Sequence, residues 1–358
     1  MTPPRDPVAG GRRASRFAVL VAMLALSIVA STWLAVSIGA VRVAPGQVWG
    51  IVVDRLVPGA LPRTWTPVQE QIVWEFRLPR ALLALLVGAG LAVVGAVLQA
   101  LVRNPLADPF LLGISSGASF GAVLVAILGA SALGGLSMSA AAFAGSLLAL
   151  GLVYLLAQKS GRLTPSRLVL AGVALAYLFQ AAYSFVLQLA QSGRAAQQVL
   201  FWLMGSLGGA RWHLLPVPAA VLACGVAYLL TQHRPLNALA AGEETAVSLG
   251  VNVARFRLTL FVLTSLLVGV LVATSGAIAF VGLIVPHAAR LLVGADHRRV
   301  LPVTALLGAV FLQLVDVAAR TVNAPQELAL SIVTALFGVP FFLWLLRRRS
   351  AERAVSVT

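Results

Sequence analysis

Residues able to do chemistry gather in four short segments of this chain, separated by long apolar stretches. The first is Arg77-Leu78-Pro79-Arg80. Two guanidinium groups three positions apart suit bidentate pairing with carboxylates on another protein, and they equally suit a snorkelling role at the lipid headgroups. The second, Arg103-Asn104-Pro105-Leu106-Ala107-Asp108-Pro109, carries two prolines that forbid a continuous helix. It is a rigid elbow, as a simple turn or as part of a gate. The third covers 234–257, where Leu236, Leu239, Ala240, Glu243, Glu244, Ala246, Val247, Leu249 and Val251 form two short amphipathic turns broken at Gly242 and Gly250. That is long for a connection and offers apolar and acidic contacts to a partner. The fourth runs from Gly276 to Arg299 and ends in the polar group Asp296-His297-Arg298-Arg299, a capped helix end.

Catalytic chemistry finds little support. The eleven carboxylates fall in loops or at expected helix ends, whereas an ion-driven carrier or an intramembrane hydrolase needs ionisable groups near the bilayer centre. His213, His233, His287 and His297 lack metal-site spacing, and Cys224 alone allows no disulfide. No Gly-rich phosphate loop ends in Lys and Ser or Thr, and Lys159 is the only lysine. The chain is therefore expected to bind no cofactor and no metal. Any nucleotide energy has to come from ATP and Mg on a separate subunit.

These segments need apolar helices to hold them. Sixty percent of the 358 residues are hydrophobic and 10% are charged, the balance of an all-α membrane protein. Charge-free runs of about 20 residues suffice to cross a bilayer. They predict ten spans at 17–40, 80–102, 110–130, 137–158, 166–190, 212–232, 258–275, 278–293, 301–319 and 328–346. A basic tail at 1–16 and a second tail at 348–358 flank a single ten-span domain over 17–347, with 234–257 as its long polar loop. The net charge of +15 is dealt out between spans, which argues for membrane orientation and against nucleic acid. With the amino terminus inside, 18 of the 26 Lys and Arg residues fall on the cytoplasmic side, so both termini are expected there. Gly88, Gly90, Ala92, Gly95 and Ala96 predict a second span inside the bundle. Gly95-Ala96-Val97 before Pro105 echoes Gly276-Ala277-Ile278 before Pro286, as a duplicated half would.

Together the segments resemble the FecCD-type permeases of iron–siderophore and cobalamin ABC importers, over about residues 17–347. The resemblance is carried by Arg77-Leu78-Pro79-Arg80, Gly95 through Gln99 to Asn104-Pro105-Leu106-Ala107, Leu112-Gly113, Phe201-Trp202 with Gly205-Ser206, and Leu239 through Gly250. It continues through Gly282 to His287 with Arg290, Asp296-His297-Arg298, Asp316 with Arg320, and Thr334-Ala335 with Pro340-Phe341-Phe342. The likeness implies two permease subunits, two cytosolic ATPases and an external binding protein, which together move a ferric siderophore or a related iron or corrinoid chelate through the inner membrane. It implies that Arg77, Arg80 and Arg320 receive acidic residues of the binding protein. It also implies that Leu239, Gly242, Glu243, Glu244, Leu249 and Gly250 lie in helices coupled to the ATPase, and that Asn104, Pro105 and Leu106 form an inner gate. Where the family has Glu-x-Pro-x-Gly, this chain has Glu327-Leu328-Ala329-Leu330-Ser331, which predicts a straighter start to the tenth span.

Overall fold

The computed structural model describes residues 7–39, 41–159, 162–190 and 193–355, and is almost wholly helical. In chain order the α-helices are α1 (Pro7–Ser37), α2 (Pro45–Leu56), α3 (Pro67–Gln71), α4 (Leu78–Val102), α5 (Ile114–Leu128), α6 (Met138–Ala157), α7 (Pro165–Gln188) and α8 (Gly193–Leu203). They continue with α9 (Pro216–Thr231), α10 (His233–Ala241), α11 (Glu243–Ser248), α12 (Val253–Ser275), α13 (Val281–Val293), α14 (His297–Thr321) and α15 (Leu330–Val355). Among the described residues seven helical segments are long and apolar enough to cross a membrane. Three shorter ones, α5, α13 and the Leu330–Trp344 part of α15, bring the total to the expected ten.

The boundaries differ in informative ways. Residues 1–6 and 356–358 lie outside the described residues, but helix continues back to Pro7 and on to Val355, so most of both expected tails extends α1 and α15. Helices α2, α3 and α8 were not expected. The first two fill the arginine- and tryptophan-rich stretch between the first two spans. There a capping box, with Thr66 and Gln69 exchanging hydrogen bonds, starts α3, and a π-helical turn over Ile72–Arg77 joins it to α4. The surplus arginines of this stretch are paired: Arg63 with the buried Asp54 at 3.1 Å and Arg55 with Glu70 at 2.7 Å. A two-residue antiparallel ladder, Gln158–Lys159 with Arg162–Leu163, is the one sheet among the described residues.

Helix α4 is the centre of the bundle, and every residue from Val87 to Leu101 is buried. Lipid tails are as apolar as leucine, so helices inside a membrane associate by close packing and not by escape from water. Glycine permits that approach here. A Cβ on Gly88 would strike the carbonyl of Gly308 in α14, a Cβ on Gly308 would strike that of Gly88, and one on Gly95 would collide with Gly282 in α13. The small-residue stripe is therefore a packing surface on two sides of α4.

The internal echo does not survive folding. Gly95 lies in mid-helix, whereas Gly276 (φ +66°) opens a non-helical stretch that ends at Phe280 (φ +68°). That stretch is tied down by its neighbours. Ser206 N donates to Ser275 O at 2.8 Å, and Leu330 N and Ser331 N donate to Gly205 O and Met204 O. The Ser331 hydroxyl donates to Ala277 O at 3.0 Å. The Ala329 and Ser331 departure thus leaves a helix start at Leu330 and adds a hydroxyl that holds the unwound backbone.

Replacing Gly88 by valine is expected to destabilise the protein in detergent by about 1–3 kcal/mol through overpacking against α14. Gly151→Ala, with nothing within 4 Å of the new methyl, should shift thermal unfolding little; equal melting of both variants would show that the α4–α14 approach is not tight.

Candidate functional site

Two polar clusters stand at opposite ends of α14 and take in most of the residues singled out from the sequence. At one end, α4 begins beside the last turn of α14. Arg77 donates through Nη1 to Val36 O and Ser37 O, both at 3.1 Å, and through Nη2 to Val41 O. Arg320 donates to Ala35 O at 2.9 Å and Ile38 O at 3.0 Å. These are the carbonyls at and just beyond the end of α1, which have no partner within their own helix and carry the negative end of its dipole. Of the three arginines expected to receive acidic residues of a binding protein, Arg77 and Arg320 are buried and cap the end of α1.

Arg80 is held differently. Its Nη1 and Nη2 form a two-point contact with Glu327 at 2.8 and 2.9 Å, while Nε donates to Asp316 Oδ1 at 2.9 Å. Asp316 is fully buried, and Arg320 Nε lies 3.0 Å from its second oxygen. That contact is electrostatic, because the Arg320 N–H is directed at the Asp316 main-chain carbonyl and Oδ2 accepts no hydrogen bond. One carboxylate thus lies against two arginines on different helices, with Glu327 supplying the second negative charge. Arg77, Arg80, Arg320 and Glu327 border a single depression of about 290 Å³.

At the other end, α10 and α11 form a bent pair hinged at Gly242 (φ +147°), and Gly250 (φ +78°) releases the chain into α12. Leu236, Leu239 and Ala246 are buried and anchor the pair, while Val247 and Leu249 are 59% and 68% exposed. Of the residues expected in the ATPase-coupled helices, Leu239 holds the helix on the bundle. Glu243 is tied to the buried Arg257 at 2.8 Å, whereas Glu244 is exposed with no ion pair among the described residues. Glu243, Val247 and Arg257 help to line a cleft of about 450 Å³ between α11, the start of α12 and the corner at Leu163–Pro165.

Asn237 joins this pair to α14, a contact the sequence gave no reason to single out beyond a polar residue set among Leu236, Ala238 and Leu239. Its Nδ2 donates to Asp296 Oδ1 at 2.7 Å, and its Oδ1 accepts from His297 N at 2.9 Å and from His297 Nδ1 at 2.7 Å. Asp296 in turn caps α14 by accepting from Arg298 N. Burial pushes the Asp296 carboxyl up, but the hydrogen bonds from Asn237 and Arg298 and the charges of His233 and Arg299 outweigh it and hold it below the usual carboxylate range.

The elbow after α4 is built as its residues demand. Arg103 takes a left-handed conformation (φ +55°), and Asn104 Oδ1 accepts from Leu106 N at 2.9 Å. Pro105 and Leu106 meet Phe280, Leu283, Phe341 and Phe342 around a gap of only about 10 Å³. Just behind it Gln99 donates to Gly282 O at 3.1 Å and accepts from Arg290 at 2.6 Å, fastening α4 to α13.

Removing the carboxylate of Asp316 leaves the buried Arg320 without a carboxylate partner and Arg80 with only the rim carboxylate of Glu327, so Asp316→Ala is expected to lower stability by about 3–5 kcal/mol. Glu327→Gln, at the half-exposed rim, should cost about 1 kcal/mol or less in the same unfolding assay. Comparable losses for both would show that the buried carboxylate is not the keystone of the cluster.

Comparison with known proteins agrees with this architecture. Residues 24–348 match the FecCD transport family. The cobalamin import system permease protein BtuC of Halobacterium salinarum is 46% identical over 283 residues, which is 79% of this chain and 75% of that protein. The vitamin B12 import system permease protein BtuC of Salmonella paratyphi A is 42% identical over 286 residues, 80% of this chain and 86% of that protein. Among solved structures, a metal-chelate type ABC transporter in an inward-facing conformation superposes with a TM-score of 0.78 at 35% identity, covering 92% of this chain and 98% of that one. The chain is a multi-pass protein of the cytoplasmic membrane that belongs to the FecCD transport family.

Proposed function

We propose that this chain is the transmembrane permease subunit of an ATP-binding-cassette importer for a metal chelate, a corrinoid or a ferric siderophore, received from an external binding protein. The observation that carries the proposal is the α10–α11 pair, anchored by Leu236, Leu239 and Ala246 and presenting Val247, Leu249 and Glu244 outward. An apolar knob flanked by an acidic residue suits a groove in a cytosolic ATPase, and it gives a chain without a phosphate loop a way to receive energy. The positive-charge count places this end and both termini in the cytoplasm and the Arg80 end outside. The cobalamin named for the BtuC relatives supports a corrinoid as the first cargo to test, and a ferric siderophore as the second. A second permease subunit, identical or not, completes the path.

Docking falls chiefly to Arg80, the one of the three arginines whose partner, Glu327, sits at the rim. A carboxylate on the binding protein competes with Glu327 for the same fork while Asp316 keeps the arginine in place. Glu327→Gln should therefore tighten binding of that protein by up to about fivefold, the scale of a single rim ion pair. Unchanged or weaker binding, measured on the purified complex, would refute competition at this fork.

The importer reading is tested in proteoliposomes holding the permease with a cognate ATPase and binding protein from the same organism. ATP-dependent accumulation of labelled cobalamin or of a ferric siderophore is expected, and Val247→Glu with Leu249→Glu should abolish copurification of the ATPase. Accumulation driven by an ion gradient without the ATPase would overturn the reading.

A further inference from the structure

The residues that link the two polar ends do not belong to either of the surfaces assigned above. Helix α14 has 25 residues and spans about 37 Å at 1.5 Å per residue, the thickness of a membrane. Its first turn is fastened to α10 by Asn237, and its last turns carry Asp316 and Arg320. Between them Gly308 lies against Gly88 of α4, and the first turn of α4 carries Arg80, the other partner of Asp316. A helix pair packed backbone to backbone along its middle moves as a unit.

The joint at Asn237 is specific in its chemistry. The first N–H groups of a helix have no partner within it. In α14 the Arg298 N–H is taken by Asp296 of its own chain segment, but the His297 N–H is taken by an amide oxygen reaching over from α10. The amide orientation follows from its surroundings: two donors of His297 face the oxygen, and the Asp296 carboxylate faces the NH2. The reverse orientation would set donor against donor and acceptor against acceptor. His297 is 97% buried, so the joint is shielded from water on one side, where its hydrogen bonds are strongest.

We propose that Asn237 is a positioning residue that completes the cap of α14 from the neighbouring α10, so that displacement of the α10–α11 pair is carried along α14 to the Asp316–Arg80 cluster at the far end. The proposal rests on the importer reading, in which one end meets an ATPase and the other a binding protein. Each partner then biases the position of one rigid helix, which is what reciprocal coupling between distant sites requires. The side chain touches neither partner and acts only through Asp296 and His297.

The test uses the complete complex of permease, ATPase and binding protein in proteoliposomes, with chelate moved per ATP hydrolysed as the readout. Asn237→Ala is expected to lower that ratio about fivefold or more, the lower end of typical coupling effects. The exchanged pair Asn237→Asp with Asp296→Asn keeps one amide and one carboxylate at the joint and should restore the ratio to within about twofold. An Asn237→Ala complex with the wild-type ratio, or an exchanged pair as uncoupled as Asn237→Ala, overturns the proposal. A second measurement avoids disturbing the joint. Ala240 and Ala295 line the same depression beside it, and can be bridged as Ala240→Cys with Ala295→Cys in a Cys224→Ser background by a bis-maleimide. Transport that persists after bridging supports α10 and α14 moving together, and transport that stops refutes it. If the wild-type complex moves no chelate with ATP, the importer reading itself has failed, an outcome distinct from any of these.

Discussion

A backbone polar group inside lipid has no water to fall back on, so where helix is interrupted it needs a partner within the protein. That constraint explains where the irregular backbone lies. The end of α1 is closed by Arg77 and Arg320, which lie 36 or more positions further along the chain than the carbonyls they cap. The stretch from Gly276 to Phe280 is tolerated because the Ser331 hydroxyl at the start of α15 donates to Ala277 O and accepts from Ala279 N, the Ser275 hydroxyl donates to Gly276 O, and Ser206 N donates to the Ser275 carbonyl just before it. The elbow at Asn104 turns by using its own side chain as an acceptor. Each of these three breaks in helix is thus paired with a local or tertiary partner.

The same logic separates two kinds of arginine. Arg77 and Arg320 direct their donors at carbonyls near the end of α1, and they share a depression with Arg80. Arg80 is fixed on one side by the buried Asp316 and faces a rim carboxylate on the other. A buried ion pair of this sort contributes more to a defined geometry than to net stability, since desolvation offsets much of its attraction. Its value to a transporter lies in holding a positive fork at a set position on α4.

Between the ends, packing by glycine turns separate helices into larger bodies. Backbone contacts at Gly88–Gly308 and Gly95–Gly282 bring α4 directly against α14 and α13 at those points, with close-packed side chains such as Leu83, Val87 and Leu312 filling the rest of the seam. The α10–α11 pair is the contrast. It is short, hinged at glycine and exposed at Val247 and Leu249, and it is attached through a few named contacts, Asn237 with α14 and Glu243 with Arg257.

The amino-acid sequence alone determined the ten apolar helices, the buried second span, the elbow at Pro105 and the glycine-broken pair after His233, because each of these depends on composition or on residues close together in the chain. It also carried the family. It could not show that Arg77 and Arg320 cap α1, that Leu239 points inward, that Glu327 occupies the Arg80 fork, or that Asn237 completes a helix in another segment. The partners in those contacts lie from 36 to 285 positions apart or depend on which face of a short helix meets the bundle. Local pattern records a side chain's type and its neighbours along the chain, while its partner is chosen only when the helices pack.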